Sequence, residues 1–154
     1  MSAPRVSVLL AVALGGAIGA LARFGVSLMW PNGSDAYLIW RTGEAAFPWT
    51  TMLINAVGCL LMGVLVVTLK ERFLAAPSLL NPFLGTGVLG GFTTFSSYTD
   101  DTRRLFESDQ PGLALAYLAL TVVTALGGVV AGTGLARVVL MRRPPTSTGA
   151  GCGA

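Results

Sequence analysis

Between Gly85 and Tyr98 the chain reads Gly-Thr-Gly-Val-Leu-Gly-Gly-Phe-Thr-Thr-Phe-Ser-Ser-Tyr, four glycines and five Ser or Thr residues inside an otherwise apolar stretch. Such a run weakens a helix, and lipid does not tolerate unpaired backbone. Backbone broken at membrane depth survives only where protein buries it or where it lines a polar cavity. An interrupted helix can turn carbonyls toward a cation and N–H groups toward an anion. The competing reading is a tight glycine crossing of two helices, with the hydroxyls bonded to their own turn. Asn55 poses the same choice: an amide in the middle of an apolar stretch either donates to a passing anion or bonds a neighbouring helix. Arg23 lies deep enough to be costly, yet within snorkelling reach of an interface near Trp30. It is either a structural anchor or an attractor of anions toward a pore mouth. Tyr117, Thr121 and Thr124 are spaced to share one helical face, as packing contacts or as a conduction path.

The acids are as informative as the donors. The apolar stretches are expected to be free of Asp and Glu, the third staying uncharged until Asp100. Cation pores and proton-coupled exporters rely on intramembrane carboxylates. An interior of Asn, Thr, Ser, Tyr and one Arg instead donates hydrogen bonds, which suits an anion. The positive edges of the Phe95 and Tyr98 rings can add to that. The chain has no His, which removes the usual proton shuttle and the commonest metal ligand.

The elements that must carry these residues follow from bulk composition. Of 154 residues, 53% are hydrophobic and 11% charged, with a mean hydropathy of +0.72, whereas a soluble domain carries about 25% charged residues. Twenty glycines suit helices packed closely in lipid. Four stretches reach the roughly 20 residues a spanning helix needs: residues 6–30, 48–69, 79–106 and 111–140. The expected fold is therefore an all-α integral membrane protein of four transmembrane helices, the third broken near its middle. One domain occupies residues 1–141, and 142–154 reads as a disordered tail. Pro48 and Pro111 stand at helix starts, and Trp30, Trp40 and Trp49 form an aromatic belt. A cleavable signal peptide ending near Gly19, Ala20 and Ala22 is a rival for the first span, but the apolar run continues past Arg23, longer than a signal core. Arg5, Lys70, Arg72, Arg137, Arg142 and Arg143 weakly favour cytoplasmic termini over the side holding Arg41, Arg103 and Arg104. So shallow a bias also suits insertion both ways round. Cys59 and Cys152 are placed too differently to bridge. Four helices barely surround a pore, so an oligomer is expected, with Gly15-x-x-x-Gly19 and Gly128-x-x-x-Gly132 as surfaces of close approach.

From Gly15 to about Val139 the chain resembles the Fluc family of fluoride channels, also called CrcB proteins. Three anchors carry the resemblance: Gly15-Gly16-Ala17-Ile18-Gly19-Ala20-Leu21-Ala22-Arg23, Thr51-Met52-Leu53-Ile54-Asn55-Ala56-Val57-Gly58, and Gly90-Gly91-Phe92-Thr93-Thr94-Phe95-Ser96. The resemblance implies an antiparallel dual-topology homodimer in the cell membrane with two fluoride pores. Some relatives are unequal pairs, so a heterodimer with a paralogue is the alternative partner. It also implies a structural Na⁺ at the dimer centre, held by the backbone carbonyls of Gly90 and Thr93, with no organic cofactor. Asn55 would be the pore amide, Phe95 and Tyr98 the aromatics whose edges meet fluoride, and Arg23 the basic residue of the first helix. Ser96, Thr94, Tyr117 and Thr121 would line the same path. Tyr98 departs from the Phe usual in the family. The loop from Pro31 to Phe47 and the tail from Pro144 look longer than the family needs.

The implied mechanism is passive: fluoride arrives as hydrogen fluoride, ionises inside, and leaves through a selective pore down its gradient, which relieves its toxicity. The pore must replace tightly held water with several close donors. A small four-helix drug/proton exporter is the rival transporter, although the first span offers no carboxylate. A non-conducting assembly subunit is the third reading. Nothing sets a nucleophile beside a base, so no enzyme is expected.

Overall fold

A computed structural model describes residues 3–31, 46–71 and 78–141, and among these every regular element is helical. The longest helices are α1 (Ala3–Met29), α2 (Trp49–Glu71) and α6 (Pro111–Met141), each apolar and long enough to cross a membrane. α6 starts at Pro111, where the missing N–H costs nothing, and α2 starts one residue after the fully buried Pro48. The expectations for Trp40, Arg41, Arg72, Arg142, Arg143 and the 142–154 tail lie outside the described residues.

The third stretch is not a simple span. It comprises α3 (Pro82–Leu89), α4 (Gly90–Phe92) and α5 (Phe95–Glu107). α3 is wound as a π-helix, in which the Gly90 N–H reaches the Gly85 carbonyl five residues back. After Phe92 the backbone turns extended at Thr93 (φ −74°, ψ 158°) and Thr94 (φ −148°, ψ 124°) before α5 begins. The helix is therefore broken where the glycine and hydroxyl run required it.

Glycines set how these helices pack. Side by side, α1 and α3–α4 run parallel, because a Cβ on Gly15 would strike the Phe83 carbonyl and one on Gly19 the Val88 carbonyl. In the same way α6 lies along α2, with Gly128 against Ala56 and Gly132 against Leu60. Both glycine motifs thus pack within the chain, which corrects the expectation that they serve oligomer contacts. Their partners are backbone atoms of the neighbouring helix, so these faces are occupied. Opposite in direction, α2 meets the break through Gly58, whose Cβ would collide with the Thr93 side chain. A small core closes the end beyond the break, where Met52, Tyr98, Leu105, Ala114 and Tyr117 are buried against Phe47, Leu113 and Leu118.

Candidate functional site

The break brings together residues that are far apart in sequence. A groove of about 250 Å³ is lined by Asn55 and Cys59 of α2, Thr93 and Thr94 of the break, Phe95 and Tyr98 of α5, and Thr121, Val122 and Ala125 of α6. Its wall is largely apolar, with a few polar groups placed among aliphatic and aromatic carbon. Of the residues singled out from sequence, Asn55, Thr93, Thr94, Phe95, Tyr98 and Thr121 share this groove. Cys59, Val122 and Ala125 were missed, although Cys59 is one helical turn beyond Asn55, and Ala125 one beyond Thr121.

Asn55 is 9% exposed, and its amide pairs with the backbone of Thr94. Its Nδ2 donates to the Thr94 carbonyl at 3.0 Å, and the Thr94 N–H donates to its Oδ1 at 2.8 Å. The Thr94 hydroxyl in turn caps α5, accepting from the Ser97 N–H at 3.1 Å. It also lies 3.3 Å from the Ser96 hydroxyl. Phe95, the first residue of α5, projects from the surface with 76% of its area exposed. Its ring centroid is 5.7 Å from that of Tyr98, tilted by 50°.

Tyr98 turns inward. Its ring borders the groove, while its hydroxyl donates to the Leu118 carbonyl of α6 at 3.0 Å. Tyr117 is fully buried behind it, with ring centroids 5.4 Å from both Tyr98 and Phe47. The Tyr117 hydroxyl donates to Asp101 Oδ2 at 3.3 Å. Tyr117 therefore supports the groove wall from behind and is not among its lining residues, and Ser96 lies outside the lining too.

Asp101 corrects the expectation of spans free of acid. It belongs to the residues 79–106 read as the third span, is 6% exposed, and sits on the turn of α5 that faces α6. Its neighbour Asp100 is instead paired at the surface with Arg103 and Arg104, each at 2.8 Å. The signal was the spacing: Asp101 follows Tyr98 by three residues and so shares its buried face.

The carbonyls around the break are served unequally. The Arg23 Nε donates to the Gly91 carbonyl at 3.3 Å. A continuous helix would have joined the Gly90 carbonyl to the Thr94 N–H and the Thr93 carbonyl to the Ser97 N–H. Asn55 holds the first of those donors and the Thr94 hydroxyl the second. Gly90 and Thr93 thus keep neutral carbonyl oxygens released from their helical partners, a donor type that suits a hard alkali cation.

Residues 10–133 match the family model described as CrcB-like protein, Camphor Resistance (CrcB). A protein of Nocardia farcinica named fluoride-specific ion channel FluC 2 is 47% identical over 131 residues, covering 85% of this chain and 86% of that protein. Fluoride-specific ion channel FluC 1 of Streptomyces coelicolor is 48% identical over 132 residues, covering 86% and 79%. A FluC of Cereibacter sphaeroides is 46% identical over 132 residues, covering 86% and 96%.

Proposed function

The chain belongs to the CrcB family, and from that premise we propose that it is a fluoride-selective channel that lets cytoplasmic fluoride leave the cell passively. The observation that carries this reading is the groove at the helix break. It sets the Asn55 amide, the Thr94 and Thr121 hydroxyls and the Phe95 and Tyr98 ring edges around one space. Fluoride gives up a tight hydration shell only to several close donors, and these groups supply them without a competing carboxylate in the lining. Relatives identical at 47% and 48% of the aligned residues carry the name of fluoride-specific channels.

One copy does not close this path. Phe95 and Ser96 are exposed at the break, and polar groups at membrane depth must be covered by protein or line water. A second copy of the chain, inserted antiparallel in the cell membrane, would cover them and complete two pores. The Gly90 and Thr93 carbonyls of two copies would together offer four oxygens to a structural Na⁺, which would tie the subunits at their centre. Domain 1–141 acts in this reading as one channel unit.

The drug/proton exporter would require a carboxylate that substrate can reach. Asp101 is enclosed and bonded to Tyr117, outside the groove lining. The deciding experiment is anion efflux from liposomes holding the purified protein under an imposed potential. Rapid loss of fluoride with negligible loss of chloride supports the channel. Retention of fluoride by a folded dimer refutes it, and drug-proton exchange is then measured on the same vesicles.

A further inference from the structure

We propose that Asn55 is a positioning residue whose amide keeps the third span broken, by pairing with both backbone groups of Thr94. A side-chain amide has the same donor and acceptor as a peptide unit, and Asn55 presents both to a single residue, at 3.0 and 2.8 Å. Thr94 lies in extended conformation between two helices, where its N–H and carbonyl have no ladder of their own. In the middle of a membrane those groups are costly unless paired. The alternative partner for the Thr94 N–H is the Gly90 carbonyl, which would extend α4 through the break and change the direction in which α5 leaves it. By holding the donor, Asn55 keeps Gly90 from recapturing it.

The arrangement is selective. Arg23 from α1 takes the Gly91 carbonyl, Asn55 from α2 takes the Thr94 N–H, and the Thr94 hydroxyl takes the Ser97 N–H. Three separate side chains thus distribute the orphaned groups of one break. Gly58, one turn along α2 from Asn55, leaves room for the Thr93 side chain beside this contact. The direct bonding of both amide atoms to backbone makes support of the break, rather than a hydrogen bond to a passing ion alone, the role of this side chain. The consequence for conduction rests on the channel reading, but the clamp itself does not.

The test is residue-resolved amide hydrogen exchange on the full-length protein in lipid, in fluoride-free buffer, comparing wild type with Asn55→Ala. The Thr94 N–H of the variant is expected to exchange about tenfold faster, the worth of one buried hydrogen bond. Amides around Leu105 and Tyr117 are expected to keep their wild-type rates, which separates a local clamp from general loss of stability. If Asn55→Ala does not fold, Asn55→Gln keeps an amide for an anion but cannot seat both its atoms on Thr94, and the same acceleration is expected. Unchanged protection of Thr94 in the folded variant overturns the proposal, as does acceleration spread equally through the core. Because no fluoride is present, failure of the channel reading appears separately, as a wild type that passes no fluoride in liposomes.

Discussion

Tyr98 shows how one atom can be placed by its neighbours rather than by its type. By the family resemblance Tyr98 stands in place of a Phe, a departure that keeps the ring edge and puts rate or selectivity in question. In the fold the Tyr98 hydroxyl is spent on the Leu118 carbonyl, so it ties α5 to α6 and leaves the ring to the groove. Tyr98→Phe should therefore lower stability by about 1 kcal/mol, the net value of one such bond, and leave the fluoride-to-chloride efflux ratio unchanged. Thermal unfolding in detergent and paired efflux assays measure the two. Phe95 is the opposite case, because most of its ring is exposed and contributes little to the core of a single subunit. Phe95→Ala should keep the protein folded while fluoride efflux falls about tenfold or more, equivalent to about 1.4 kcal/mol of barrier. A folded variant with wild-type efflux would remove the ring edge from the mechanism.

At the scale of elements, the glycines divide into two sets that look alike in sequence. Gly19 and Gly132 face neighbouring backbone so closely that an added methyl would overlap a carbonyl oxygen, whereas Gly127 and Gly134 face open space. Gly19→Ala or Gly132→Ala would force a helix pair apart and should cost about 1–3 kcal/mol. Gly134→Ala should be neutral or stabilise by up to about 1 kcal/mol, because alanine is the better helix former. Melting temperatures of the three variants check the ranking. The break between α4 and α5 was legible beforehand because its glycines and hydroxyls are local in sequence. The π-winding of α3 was not, and neither was the close approach of Gly87 to the backbone of Gly15 in α1.

At the scale of the whole molecule, the helix directions place the ends of α1 and α2 together, joined by the Thr50 hydroxyl on the Trp30 carbonyl at 2.9 Å. The far ends of α2 and α6 meet through Glu71 and Arg137 at 3.5 Å. Arg103 and Arg104, counted toward one side of the membrane, are paired with Asp100 on the same helix. The bias of basic residues toward one side is shallow, which suits insertion in both orientations. With Cys59→Ser and Cys152→Ser as background, Ser108→Cys in the turn between α5 and α6 should be labelled by a membrane-impermeant thiol reagent from either face of the cell membrane. Labelling from one face alone would show a single orientation and rule out the antiparallel pair.

The sequence by itself determined that this chain lives in a membrane, that its third apolar stretch could not remain one helix, and which family it resembles. Those properties are carried by composition and by short runs, which act on backbone and lipid wherever the chain folds. Only the tertiary structure decided that the Asn55 amide grips Thr94, that both glycine motifs are used within the chain, that Tyr117 stands behind the groove, and that Asp101 is enclosed while Asp100 is not. Each of these depends on which backbone or side chain arrives opposite, across separations of many residues. A hydrogen-bonding group announces from sequence that it needs a partner, and packing alone chooses which one.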